Sequence, residues 1–166
     1  MTARPKIHCG IFIRCVFTVS MVLFLVYPAF ASKNKLLSTI NLFRLENGRM
    51  PLRLNTDLNE AAKQHALSML QDDFFDHVSP SGSTLRSRVE LTGYKWRLLG
   101  ENLAAGMSLP HEVLQSWINS KSHRKTLLTR EFIHAGIFHL HSKHDDGEVV
   151  FKDYWVLKLA TPEKEN

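Results

Sequence analysis

Residues 100–128, GENLAAGMSLPHEVLQSWINSKSHRKTLL, place two carboxylates (Glu101 and Glu112), an imidazole (His123) and a tryptophan (Trp117) in one short span. A solvated helix favours regularly spaced Glu and Lys pairs, whereas acids beside imidazoles are the material of proton transfer and metal binding. The same span sets local architecture. Residues 98–105 are short, apolar and interrupted by Gly100, which reads as a brief buried strand or an extended turn. From Ser108 a helix begins, with Pro110 in its first turn and Val113, Leu114, Trp117 and Ile118 on its buried face. After Asn119-Ser120-Lys121-Ser122 a short second helix carries His123, Arg124 and Leu127.

Within this span the two acids differ. Glu101 sits among apolar residues, and burying even a neutral polar group without a partner costs about 2–7 kcal/mol, so a buried Glu101 demands a partner. The plainer reading is a surface turn in which it caps backbone amides. Glu112 lies in the first turn of its helix, where the dipole favours an anion in any case. Trp117 reads as a core anchor.

Working outward toward the amino terminus, residues 84–91 form a short helix capped by Thr84 and ended by Gly93. Before it, Phe74-Phe75-Asp76-His77-Val78-Ser79-Pro80 runs into a Ser/Pro/Gly turn, which puts His77 on a loop. Residues 55–71 predict a helix capped by Asn55, Thr56 or Asp57, with Leu58, Ala61, Ala62, His65, Ala66 and Met69 on the buried stripe. His65 there reads as a hydrogen-bonded core residue. Residues 35–46 predict another amphipathic helix, with Leu36, Ile40 and Phe43 on one face and Gly48 as its stop. Asn41 and Arg44 flank that face as caps or surface pairs.

Toward the carboxyl terminus, residues 132–141 and 148–159 are rich in β-branched and aromatic residues, and Asp145-Asp146-Gly147 supplies turn chemistry, so a hairpin is expected. His139 and His141 alternate onto one strand face, read as solvated, and residues 161–166 form a polar tail.

The first 31 residues differ from the rest. Arg4, Lys6 and Arg14 come without an acid, an apolar run follows from Cys15 to Tyr27, and Ala29-Phe30-Ala31 presents small residues at the positions a signal peptidase reads. Residues 1–31 are therefore expected to be a signal peptide cleaved after Ala31, with membrane contact only through that leader. Both cysteines, Cys9 and Cys15, would leave with it, so no disulfide is expected in residues 32–166. Cleavage removes three of the 21 basic residues and no acid, lowering the formal charge from +5 to +2. That small, mixed charge gives no nucleic-acid footprint. The chain, at 166 residues and 44% hydrophobic, is long enough for one domain with a real core, expected over 32–160.

Taken together the pieces resemble a bacterial member of the CAP superfamily, named for cysteine-rich secretory proteins, antigen five and plant pathogenesis-related proteins. The resemblance rests on Ile40-Asn41-Leu42-Phe43-Arg44, Pro51-Leu52-Arg53-Leu54-Asn55, Ala61-Ala62-Lys63-Gln64-His65-Ala66, Phe75-Asp76-His77-Val78-Ser79-Pro80, Gly100-Glu101-Asn102-Leu103-Ala104, Glu112-Val113 with Trp117, Ser122-His123-Arg124 and Ala135-Gly136-Ile137. Their order and spacing cover most of the chain. It departs from the common pattern at Ser122, where glycine is usual, and at Val156-Leu157-Lys158-Leu159, where Thr, Gln and a Phe-Gly ending are frequent.

The resemblance implies an α+β fold, a three-layer α-β-α sandwich with a small, largely antiparallel sheet. It implies a cleft tetrad of His77, Glu101, Glu112 and His123. Two imidazoles from separate segments can supply part of a Zn²⁺ or other divalent-metal site, with Glu or water completing the shell; no organic cofactor is indicated. The leading expectation is a secreted or periplasmic binding module for an envelope, lipid or small-molecule ligand. A metal-assisted hydrolase of peptide or cell-wall material, with Glu101 or Glu112 as general base, is the alternative. It lacks a His-Glu-x-x-His helix, a Gly-x-Ser-x-Gly elbow and a cysteine nucleophile in residues 32–166. A third reading makes the cluster a purely structural polar network.

Overall fold

The structure, a computed structural model, describes residues 27–164, with side chains from Lys33 onward. In chain order the elements are α1 (Tyr27–Glu46), β1 (Arg53–Leu54), α2 (Thr56–Gln71), α3 (Leu85–Leu91), β2 (Trp96–Ala105), α4 (Pro110–Asn119), α5 (Lys121–Leu127), β3 (His134–His141) and β4 (Asp153–Pro162). The strands form a four-stranded sheet in the order β1-β3-β4-β2. Strand β4 is buried over nearly its whole length, which is why its sequence from Tyr154 to Ala160 is apolar at nearly every position rather than at alternate ones.

Helices cover both faces. Odd-numbered β3 and β4 residues, Ala135, Ile137, Trp155, Leu157 and Leu159, pack with Leu36 and Ile40 of α1, Val113 and Trp117 of α4, and Leu127 of α5. On the other face Val156 and Tyr154 meet Ala62, Ala66 and Met69 of α2, while Ala160 meets Leu58 and Ala61 of α2 and Val89 of α3. The result is the expected α-β-α sandwich. α2 lies so close to β3 that a Cβ at Gly136 would stand 2.1 Å from the Leu58 carbonyl carbon. Glycine is required there for contact, not for backbone freedom.

Several elements depart from the sequence reading. The sheet is largely antiparallel as expected, but it is mixed, because the two-residue β1 pairs parallel with β3 through Arg53↔His134 and Leu54↔Ala135. Two residues of strand are too few to show a period. α1 starts at Tyr27, earlier than the expected residue 35, with Pro28 in the first turn, where its missing N–H breaks no intrahelical bond. The expected leader lies mostly outside the described residues, and its cleavage point falls within α1. β4 runs to Pro162, into what reads as polar tail.

The β3–β4 pair is antiparallel as expected, yet no tight turn joins it. The Asp145 carboxylate holds the longer connection, accepting bonds from the N–H groups of Phe151 and Lys152 and from the Tyr154 hydroxyl at 2.8–2.9 Å. His139 is not on a solvated face. Its ring stacks on Trp155 at 3.8 Å between centroids and bonds Asp153, which also meets the exposed His141.

Arg44 is the largest departure on α1. It is fully buried and, among the described residues, pairs with no acid; its guanidinium donates to the carbonyls of Met50, Leu127, Thr129 and Phe132. One side chain thereby fastens α1 to the loop ending α5 and to the start of β3. Burial lowers its pKa, but a guanidinium stays charged in proteins.

Candidate functional site

The site begins with the pleat of β2. Its register with β4 sets Glu101 opposite Lys158, and odd β2 residues face α2 while even ones face α4 and α5. Glu101 therefore enters the α2-side layer, and Asn102 points to the other, where its Nδ2 donates to the His123 carbonyl at 3.1 Å. Neighbouring residues of one strand thus reach both halves of the cleft.

Glu101 is 9% exposed and is surrounded by bases. Lys158 Nζ donates to its Oε2, Arg88 lies 3.5 Å from the same oxygen, and His77 Nδ1 bonds Oε1 at 2.8 Å. His65 Nε2 stands 3.8 Å from Oε1, beyond hydrogen-bond reach. Burial alone would raise the Glu101 pKa, but the His77 bond and the positive charge of Lys158 outweigh it and hold the carboxylate at about 2. Burial pulls Lys158 down to about 8 against the opposing pull of Glu101, so the pair is ionised at neutral pH.

Arg88 is itself positioned, donating to the carbonyls of Ser83 and His77 at 2.8 and 2.7 Å. It anchors the loop that carries His77, whose side chain remains 52% exposed. Its bond to Glu101 raises the His77 pKa against the effect of burial. Because Glu101 is ionised, Nδ1 of His77 carries the proton and Nε2 is left for a ligand. A carboxylate holding one imidazole nitrogen in this way is the usual support for a metal-binding or proton-accepting histidine.

Of the four residues expected together, His77 and Glu101 are in contact. They line a groove of about 560 Å³ along β2 with Val78, Leu85, Trp96 and Leu99. His123 comes from the opposite layer and lines a neighbouring hollow of about 340 Å³ with Phe75, Trp117 and Phe151. Burial, and then the charge on His77, lower its pKa. Glu112 does not join them. Its exposed carboxylate accepts the Leu109 N–H at 3.2 Å, closing the first turn of α4, and it lines neither groove. Trp117 is core, with its indole N–H on the Leu103 carbonyl at 2.8 Å.

Three members of the cluster escaped the sequence reading of the site. Lys158 carried a readable signal, since a lysine inside an otherwise apolar strand requires an acid opposite. Arg88, in the short helix after the His77 loop, carries no local signal of a buried role. His65 is buried as expected, but among the described residues no hydrogen bond of normal geometry reaches either ring nitrogen, and only weaker attraction from the Asp76 backbone and from Glu101 does. Burial drives its pKa down to about 4, so it sits neutral beside Glu101.

The family model described as the cysteine-rich secretory protein family, CAP, matches residues 37–159. The chain belongs to this family. Among curated proteins, this CAP domain is 31% identical over 112 residues to YkwD and 29% identical over 106 residues to the membrane protein YlbC, both of Bacillus subtilis. These alignments cover 68% and 64% of the chain but only 44% and 31% of those proteins, so the chain spans less than half of each relative's length. Among solved structures, an extracellular SCP-domain protein from Bacillus anthracis matches with a TM-score of 0.70 at 25% identity, over 80% of this chain and 41% of that one. An outer surface protein from Borrelia burgdorferi shares the fold, with a TM-score of 0.72 at 22% identity, over 80% of this chain and 94% of that one.

Proposed function

We propose that the chain is the CAP domain of an exported protein and that its cleft is a binding site for an envelope, lipid or other small-molecule ligand. The observation that carries this reading is the His77–Glu101 contact, with Glu101 locked by Lys158 and the other imidazole nitrogen left at a groove. Export draws support from the leader-like residues 1–31 and from relatives described as extracellular or outer-surface. No described helix is long and apolar enough to cross a membrane.

The donor set limits what metal the cleft would take. Among the described residues no group of three or more His, Cys, Asp or Glu is placed to hold an ion. With His77 and His123 lining separate hollows, the cleft would at most take a weakly held divalent metal such as Zn²⁺, completed by water or ligand, rather than a closed structural site. Bound there, it would polarise an oxygen of the ligand. Hydrolysis draws less support. Glu101 is buried, ion-paired and a weak base, and Glu112 caps a helix away from both grooves.

Calorimetric titration of Zn²⁺ into the untagged protein cleaved after Ala31 tests the metal component. Weak binding is expected, lost in the double variant His77→Ala, His123→Ala. Unchanged affinity in that variant, with only a lower Tm, would make the cluster structural.

A further inference from the structure

β2 is an edge strand, bonded to β4 on one side only. Gly106 N–H donates to the Asp153 carbonyl, so in this register even-numbered β2 residues bond β4 and odd-numbered ones turn their N–H and C=O outward. The Leu103 carbonyl obeys this rule and is taken by Trp117. Among the described residues, nothing bonds the outward N–H and C=O of Leu99 or Glu101. Leu99 and Glu101 both line the His77 groove, and the His123 hollow begins two residues further along the strand, at Leu103.

We propose that the free edge of β2 receives an extended peptide segment as an added strand. Its backbone bonds Leu99 and Glu101, and its side chains enter the His77 groove and, further along the strand, the His123 hollow. The two hollows follow one another along β2, the first beside Trp96 to Glu101 and the second beside Leu103 to Met107, so a segment running along the edge passes both. An acyl chain fills apolar walls equally well but has no donors or acceptors for a strand edge.

Charge favours an acidic segment. The groove's cationic lining is Arg86 and Arg97, and its one acid, Glu101, is neutralised by Lys158. Arg86 lies 5.5 Å over the Trp96 ring and bonds Glu90, while Arg97 is exposed at the open end. Beyond that end Lys164 offsets Glu163.

The inference deepens the binding-module reading by naming the ligand class of the same cleft. Its test is run with a chelator present, so failure here and failure of the metal component are separate results. The probe is a blocked peptide of about seven residues, apolar at the centre and flanked by glutamates, long enough to cover the edge from Leu99 to Leu103. Saturable binding is expected, with slowed amide exchange at Leu99 and Glu101. Methylating alternate peptide nitrogens keeps the side chains, removes the backbone donors and is expected to weaken binding at least about tenfold, the loss of roughly one or two hydrogen bonds.

The variant Leu99→Pro removes an outward donor without touching a β4 bond, a position where an edge strand tolerates proline. It is expected to weaken binding similarly. If that variant does not fold, the methylated probe carries the test on the unaltered chain. No binding, equal binding of the methylated or a lysine-flanked peptide, or equally effective competition by a fatty acid would overturn the proposal.

Discussion

Lys158 and Glu101 face each other across the β2–β4 ladder and form an ion pair between side chains that are 0% and 2% exposed. A cross-strand pair places its side chains within contact by register alone, so neither residue needs a loop to find the other. The pair governs the cleft because the carboxylate that Lys158 keeps ionised is the one that orients His77.

Removing one partner of this pair is expected to cost more than removing both. Lys158→Met leaves a buried carboxylate short of its nearest cation and should destabilise the fold by about 3–5 kcal/mol, whereas Lys158→Met with Glu101→Leu should recover much of that loss. Chemical denaturation of the four-member mutant cycle measures it. Equal losses in the single and double variants would show that the pair contributes nothing specific.

Acid stability should divide between two histidines of opposite sign. His65 has its folded pKa depressed to about 4, so its neutral form contributes stability above its unfolded value of 6.5, lost as pH falls from there toward 4 at about 1.4 kcal/mol per pH unit. The folded pKa of His77 is raised. Its contribution is complete below pH 6.5 and is lost as pH rises through the folded value. Stability curves between pH 4 and 8 should therefore flatten in His65→Leu and fall more steeply on acidification in His77→Ala; parallel curves would contradict the assignment.

Arg44 should be intolerant of substitution. Arg44→Met would orphan four carbonyls, several of them buried, at an expected cost of about 3–5 kcal/mol, and Arg44→Lys should recover little because an ammonium lacks the planar fork that spans them. Urea unfolding of both variants gives the comparison.

Gly136→Ala tests the packing of α2 on β3. The clash is with backbone of Leu58, which cannot swing aside as a side chain can, so the loss should reach or exceed about 1–3 kcal/mol and should widen the spacing that holds His65 beside Glu101. A crystal structure and a melting curve together would report it.

The sequence alone determined the helices α2 to α5 and the strands β3 and β4, and its resemblance to the CAP family implied the sandwich. Their apolar periodicities are local, and caps such as Asn55 and Thr84 mark the boundaries within a few residues. It also singled out Glu101, because a carboxylate in an apolar strand is locally anomalous, whereas His77 on its loop was picked out by the family resemblance. Only tertiary structure decided which groups met. Whether Glu112 reached the cleft or capped its own helix depended on how α4 docks, and both outcomes suit the same first-turn sequence. Arg44, Arg88 and Lys158 found their partners, and His65 its place beside Glu101, through packing between elements far apart in the chain, most of them brought together by the sheet. The short parallel strand β1 exists only because β3 lies beside it. Periodicity tells which face of an element is buried, but the pairing of a buried charge depends on the element opposite, and that is set by the assembled layers.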